Sequence, residues 1–250
     1  MHDIAIGPPA LLSSSEVQAN RLLAAMPKDA LERLLPDMER VKLVAGDVLG
    51  DVDRGLKHAY FPASVIITVL IDSGDQETIK VAVIGHEGMT GVPALMGNAS
   101  PHRRLVVLNN GEAFRIPATA LKIEFDRNSA AMRLILRFAQ TLITQMAQNA
   151  VCSRHHRVDQ QLCAWLLTCM DRTPGGNTLP VTQEIVAGLL GVRREGISEA
   201  ARTLRQLGLI NFSRGKIHLL DRPGLLARAC ECYQVVKRET DRLLPDRPAT

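Results

Sequence analysis

Cysteine is missing from the first 151 residues of this 250-residue chain. The five that occur, Cys152, Cys163, Cys169, Cys230 and Cys232, all lie in the second half. An odd count so placed argues against the disulfide framework of a secreted domain. Aromatic residues amount to 3%, with a single tryptophan, Trp165. No apolar run approaches the ~20 residues of a membrane span, and the clearest one, Val65 to Ile71, has the length of a strand. The opening MHDIAIGPPALLSSSEV lacks a charged start and puts Pro8-Pro9 where a signal peptide has its apolar run. The expectation is a cytoplasmic protein without a membrane partner. Catalytic signatures are missing too: there is no HExxH, no G-x-S-x-G and no placed carboxylate pair. An enzyme reading has only Glu87 with His86 to offer as acid and base, so no enzyme is expected.

What is present is ordinary in amount and uneven in placement. Hydrophobic residues make up 46% and charged residues 22%, as in a globular chain with proper cores. The net charge of +4 conceals an asymmetry. Residues 1–125 hold 12 Lys+Arg against 15 Asp+Glu, and residues 126–250 hold 18 against 11. A basic second half suits a polyanionic partner, although many basic faces are only solvated.

The most informative stretch, Pro180 to Leu220, lies in that half. Thr182 is a helix-capping residue followed by Gln183 and Glu184, which suit a first turn. Ile185, Val186, Leu189 and Leu190 make one apolar stripe, and Gly191 fits a left-handed helix end. A second helix starts near Arg193, with Ile197, Ala200, Ala201, Leu204 and Leu207 on its buried side and Gly208 closing it. Arg194, Ser198, Arg202 and Arg205 occupy the opposite face, beside Glu195 and Glu199. Leu209–Phe212 and Lys216–Leu219 flank the turn Ser213-Arg214-Gly215 and read as a hairpin. Helix, tight turn, arginine-bearing helix and hairpin are the order of a winged helix-turn-helix, whose second helix enters the major groove. Arginine pairs with guanine O6 and N7, glutamate accepts from cytosine N4, and Arg214 and Lys216 are placed for phosphates. The expected contacts to double-stranded DNA are Thr182, Gln183, Arg193, Arg194, Glu195, Ser198, Glu199, Arg202, Arg214 and Lys216. The plainer alternative is a helical hairpin with solvated arginines. A second alternative is a nucleotide-responsive interaction protein whose winged helix contacts protein.

The stretch resembles the C-terminal domain of the Crp/Fnr superfamily of bacterial transcription regulators. The resemblance rests on Thr182-Gln183-Glu184-Ile185, Leu190-Gly191-Val192, Arg194-Glu195, Leu204, Leu207, Gly208-Leu209-Ile210 and Gly215-Lys216-Ile217. It implies that Arg194 and Glu195 read bases. Glu199 stands where the family often has another arginine, which departs from the usual half-site preference.

Earlier in the chain, Ser15 is a candidate cap for a helix through Met26, and a second helix is expected over Asp29–Leu35. From Val41 the pattern changes to short apolar runs cut by turn residues: Val41–Val44, Val48-Leu49, Ala59–Phe61, Val65–Ile71, Thr78–Ile84, Leu105–Leu108 and Ala113–Ile116. Asp72-Ser73-Gly74-Asp75 and Asn109-Asn110-Gly111 read as hairpin turns. Closely spaced strands of this kind predict an antiparallel sandwich or barrel. A long helix free of Gly and Pro is expected from about Asp126 to Cys152. Met132, Ile135, Ala139, Leu142 and Met146 follow alternating spacings of three and four, a coiled-coil seam for a second copy, and Leu136 and Ile143 widen the stripe. The alternative is a helix packed on its own domain alone. Arg157–Met170 reads as a further helix with Trp165 in the core, and Gly224–Leu243 as the last.

Between the strands, Gly85-His86-Glu87-Gly88-Met89-Thr90-Gly91-Val92 precedes Arg103-Arg104. Glycine-rich turns let backbone approach a phosphate, and arginine neutralises it. The bland reading is a pair of tight turns between strands. Tyr60-Phe61-Pro62 and Ile84-Gly85-x-Glu87-Gly88-x-x-Gly91 extend the resemblance, which implies a cyclic-nucleotide-binding-type β-roll. The effector-pocket candidates are Gly85, Glu87, Gly88, Gly91, Val92, Arg103 and Arg104. Val92 stands where the family's ribose-binding glutamate falls, and neither arginine is followed by Ser or Thr, so cyclic AMP is not expected. The family's oxygen sensors carry N-terminal cysteines for an iron–sulfur cluster, and none precedes Cys152. Cys230-x-Cys232 is shorter than a C-x2-C zinc knuckle, and His155-His156 reads as solvent-facing, so no metal is expected. His58, His86 and His102 are read as loop or surface histidines, with haem ligation as the other reading.

The expected fold is α+β in three parts: a β-roll sensor over 1–125, a dimerisation helix over 126–153 and a winged helix-turn-helix over 154–250. The expected function is a homodimeric regulator reading a palindromic site. The resemblance adds RNA polymerase and a small effector as further partners.

Overall fold

The computed structural model describes residues 12–50, 57–72, 78–97, 103–127 and 129–244. The turn expected at 72–75, His102 and the tail beyond 244 fall wholly or partly outside them. A 3-10 turn, Glu16–Ala19, leads into α1 (Arg21–Ala24) and α2 (Lys28–Leu34). Asn20, not Ser15, is the cap that works here. Its Oδ1 accepts from Leu23 N, and its Nδ2 donates to the carbonyls of Pro62 and Gly88. Ser15 makes no capping hydrogen bond.

The strands are β1 (Glu39–Leu43), β2 (Val48–Gly50), β3 (His58–Pro62), β4 (Ile67–Asp72) and β5 (Thr78–Ile84). A short helix α3 (Val92–Met96) then precedes β6 (Arg103–Val107) and β7 (Gly111–Pro117). They form two antiparallel sheets, ordered β1-β7-β3 and β2-β6-β4-β5. Val41, Leu43, Phe61, Ile67, Val69, Phe114 and Ile116 fill the space between them. The β4–β5 pair is the hairpin expected from the sequence. Asn109-Asn110-Gly111 is not a hairpin turn, because β6 and β7 belong to different sheets. Asn109 makes the crossing: its Oδ1 accepts from Ile66 N at 2.7 Å and its Nδ2 donates to Ser64 O at 2.9 Å. A side chain at Gly111 would collide with Ser64.

Helix α4 (Ala118–Asp126) comes next, and α5 (Ala130–His155) starts only after Ser129 caps it through Ala131 N. The long helix therefore begins at Ala130, and Asp126 ends its predecessor. At 26 residues α5 is about 39 Å long. Its inner face, with Leu134, Ile135, Phe138 and Ala139, is buried on the β-roll.

The C-terminal part comprises α6 (Val158–Asp171), β8 (Thr178–Leu179), α7 (Gln183–Leu190), α8 (Arg194–Gln206), β9 (Ile210–Ser213) and β10 (Lys216–Leu219). Two further helices follow, α9 (Arg222–Arg228) and α10 (Glu231–Leu243). The single last helix expected over 224–243 is thus broken, at Ala229 and Cys230, which both take extended backbone. Leu162, Trp165, Leu166 and Cys169 of α6 form the second core with Ile197, Ala201 and Leu204 of α8. Leu207 and Ile185, expected in the buried stripes, are about half exposed. Helix α10 packs back along α5, and Leu244 enters the core of the β-roll. No helix among the described residues is long and apolar enough to cross a membrane.

Candidate nucleic-acid interface

Thr182 caps α7 by accepting from Ile185 N, and Gly191 ends that helix at φ 65°, in the left-handed region that glycine favours. The chain re-enters helix at Arg194, so α7 and α8 are joined by a three-residue turn. Ile197, Ala200, Ala201 and Leu204 pack α8 onto the core, which leaves the other side of α8 to solvent. Arg193, Arg194, Glu195, Glu199 and Arg202 are exposed there, with Ser198 half-buried. The Ser198 hydroxyl donates to Gln183 Oε1 at 2.7 Å, tying the start of α7 to the middle of α8. Arg194 Nε lies 3.4 Å from Glu184 Oε2, an exposed pair worth little and easily exchanged. The wing turn has φ 48° at Arg214 and φ 73° at Gly215. Positive φ at both central residues is the two-residue turn that matches the twist of a hairpin. A groove of about 300 Å³ runs between Thr182, Gln183, Arg194 and the wing at Ser213–Gly215. All ten residues expected to meet DNA therefore lie on α7, α8, the turn between them and the wing.

The effector-pocket candidates behave differently. Gly85 is pressed against Arg172, at the end of α6, and Gly88 against the Phe138 ring of α5; a Cβ at either would overlap those atoms. Glu87 is buried, and its carboxylate accepts from Gly85 N and from Arg172 Nε at 2.6 Å. Gly91, at φ 92°, starts α3, and Val92 is buried. Arg104 pairs with Leu70 in the sheet; the side chain of Arg103 is outside the described residues. Gly85, Glu87 and Gly88 are consumed by the joint between the β-roll and the helices that follow, so they do not form an open phosphate cradle. Close approach of backbone is what these glycines permit here, and the approaching groups are Arg172 and Phe138.

Beside that joint a cavity of about 290 Å³ opens between β5, α5, α6 and α10, lined among others by Lys80, Gln145, Trp165 and Cys232. Gln145 Oε1 accepts from Val83 N, while its Nε2 and Trp165 Nε1 have no protein partner. Burial pulls the Lys80 ammonium down to about 8.

Residues 160–228 match the Crp-like helix-turn-helix domain. Several solved structures share the fold of about three quarters of the chain. FixK2 of Bradyrhizobium japonicum has a TM-score of 0.64 at 13% identity, covering 77% of this chain and 98% of that one. A CRP-family transcriptional regulator of Thermus thermophilus has 0.62 at 16%, covering 75% and 95%. The c-di-GMP-responsive global regulator CLP of Xanthomonas campestris has 0.60 at 15%, covering 78% and 100%. The chain carries a Crp-like helix-turn-helix domain on a fold that these solved structures share. No curated protein matches it in sequence.

The expected seam residues of α5 point elsewhere. Ile135 and Ala139 are 1% and 6% exposed, buried in the chain's own core, and Leu142 and Met146 pack against it. Met132 is half-buried. The open apolar line of α5 is instead Leu136, Ile143 and Val151, at 38%, 57% and 43% exposure. The fold also gathers four side chains that spacing alone gave no reason to join, against the expectation that Cys230-x-Cys232 and His156 hold no metal in common. Cys152, His156, Cys230 and Cys232 bring their ligand atoms within 4.8 Å of one another. His156 faces Cys232 and not solvent, and the break before α10 is what carries Cys230 and Cys232 there. Cys163 and Cys169 lie outside the cluster, and burial pushes both thiols up to about 12.

Proposed function

We propose that the protein is a cytoplasmic, homodimeric transcription regulator that reads a palindromic DNA site and acts on RNA polymerase. The observation that carries the reading is the exposed row Arg193, Arg194, Glu195, Glu199 and Arg202 on α8, presented beside the wing. Side chains at the start of the second helix reach base edges, and the half-sites of a dimer lie about 34 Å apart. Thr182, Gln183, Arg214 and Lys216 surround that row and suit phosphates. The outer side of α5 supports the dimer: Leu136, Gln140, Ile143, Ala147 and Ala150 are exposed at alternating spacings of four and three. We place effector control in the cavity beside Lys80, where a cation and the two unused donors of Gln145 and Trp165 suit a small anion.

Selection from random duplex DNA with the purified chain tests the reading. The expected result is an enriched two-fold palindrome whose binding weakens with salt at about −0.9 in log–log slope per phosphate contact. An unenriched pool together with salt-independent binding overturns it in favour of a protein-binding wing. Trp165 fluorescence titrated with small anions checks the effector site, and a response that survives Lys80→Met overturns that placement.

A further inference from the structure

Four side chains of ligand type meet where α5 gives way to α6, away from the DNA-reading face. Cys152 lies in the last turn of α5 and His156 is the extended C-cap just past it, whose N–H donates to the Cys152 carbonyl. Cys230 is the N-cap of α10 and takes extended backbone, φ −70° and ψ 162°. That conformation turns its thiol, and that of Cys232 in the first turn, back toward α5. Cys152 Sγ lies 3.4 Å from Cys230 Sγ, and Cys232 Sγ lies 3.6 Å from His156 Nδ1. The three cysteines are buried, and the His156 side chain is 13% exposed.

These separations have a specific chemical meaning. A tetrahedral zinc ion with Zn–S near ~2.3 Å and Zn–N near ~2.0–2.1 Å spaces its ligand atoms roughly 3.5–3.8 Å apart. The Cys232–His156 pair, at 3.6 Å, sits at that spacing, and the Cys152–Cys230 pair, at 3.4 Å, is slightly closer than it. The outer surroundings fit as well. His156 Nδ1 faces the sulfurs, while its Nε2 lies 3.2 Å from Glu231 Oε1. A carboxylate on the far nitrogen is what orients a metal-bound imidazole and selects its tautomer. Gln161 Nε2 donates to the His156 carbonyl at 2.8 Å and steadies the residue. No other group of three or more such side chains gathers among the described residues.

We propose that Cys152, His156, Cys230 and Cys232 form a tetrahedral site for a thiophilic divalent cation, zinc by its preference for three sulfurs and one imidazole. On binding, each of the three thiols gives its proton to solvent and its sulfur lone pair to the metal. His156 binds neutral through Nδ1, and no electron is transferred. The ion ties the end of α5 to the start of α10, across the short turn from which the winged domain hangs. Resting on the function proposed above, occupancy of the site fixes the angle between the α5 of the dimer and the helix that reads DNA.

The test uses the full chain, reduced and stripped with a chelator, then titrated with cobalt(II) and back-titrated with zinc. The expected result is one cobalt per chain, with thiolate-to-metal charge-transfer absorption and the intense visible bands of tetrahedral cobalt, bleached by one equivalent of zinc. Cys230→Ser abolishes these bands. Glu231→Gln, a change at an exposed position, weakens the affinity by about tenfold or more. Alkylation mapped by mass spectrometry in the unaltered protein serves as the control for variants that do not fold. Zinc shields Cys152, Cys230 and Cys232 and leaves the rates of Cys163 and Cys169 as they were. A folded, reduced chain without charge-transfer absorption overturns the site. So do bands that persist in Cys230→Ser, zinc-indifferent alkylation, or a Cys152–Cys230 disulfide that forms in air with no metal uptake after reduction. None of these readouts involves DNA, so the duplex selection can fail while the metal site stands, and the reverse.

Discussion

Arg172, just past the end of α6, places its Nε 2.6 Å from the carboxylate of Glu87 in the β-roll, with both side chains buried. Two charges withdrawn from water in this way are tolerable only together. Removing one partner strands the other, which costs about 3–5 kcal/mol. We expect Glu87→Ala and Arg172→Ala each to lower stability to denaturant by that order. The double variant should cost clearly less than the sum, because it strands neither charge. Additive losses in the double-mutant cycle would show that the pair is not coupled.

Gly88 tests the same joint by shape. Its backbone makes no use of positive φ, so alanine there brings no backbone strain, only a methyl group inside the Phe138 ring. Overpacking of this kind typically costs about 1–3 kcal/mol. We expect Gly88→Ala to lower the melting temperature and Gly88→Ala with Phe138→Leu to recover part of the loss. No recovery would mean that Phe138 is not the obstacle.

Lys80 gives a pH dependence whose sign can be worked out. Its pKa falls from 10.5 to about 8 in the folded chain, chiefly through burial. Between those values the unfolded chain holds a proton that the folded chain has lost, so stability rises with pH. Below about 8 the buried charge is a full penalty, on the order of 3 kcal/mol. Lys80→Met should therefore be the more stable protein at pH 7, with its advantage shrinking from about pH 8 to 10.5. A difference independent of pH, measured by denaturant titration, would overturn this.

How far the sequence discloses this structure depends on whether the signal is local. Thr182, Gly191 and Arg214-Gly215 each announce a cap or turn within a few residues, and α7, α8 and the wing follow. The faces of α5 are ambiguous because apolar residues ring it: Leu134, Ile135, Leu136 and Phe138 lie within five positions, and periodicity does not say which side meets the β-roll. The glycines at 85 and 88 announce close approach but not by what, since Arg172 and Phe138 arrive from elsewhere in the chain. The cluster of Cys152, His156, Cys230 and Cys232 has only a partial local signature, Cys230-x-Cys232, too short for a zinc knuckle on its own. Its two halves are more than seventy residues apart, and the helix break that joins them contains neither Pro nor Gly.

On DNA, Arg194 and Lys216 should separate by kind of loss. Arg194→Ala is expected to cost about 1–3 kcal/mol at the preferred site and to relax the preference at one position per half-site. Lys216→Ala should weaken all sequences alike and reduce the salt slope by about 0.9. Binding titrations on the selected site and its single-base variants, at several salt concentrations, read both. An unchanged sequence preference in Arg194→Ala would remove it from the reading face.

The proposed dimer is tested on α5, where two isoleucines eight residues apart lie about 80° apart around the helix. Ile135 is buried in the chain's own core, and Ile143 is 57% exposed on the outer line with Leu136. A charge at Ile143 meets water in a monomer but is desolvated in a dimer packed through that line. Ile143→Glu should therefore keep its helical content and melting behaviour as a monomer, and sediment at half the mass of the unaltered chain. It should bind a single half-site while losing the tight binding of the palindrome that two linked domains provide. Ile135→Glu should instead unfold the β-roll joint. If Ile143→Glu remains dimeric, the second copy docks on some other surface, and the spacing of the two reading helices is set elsewhere.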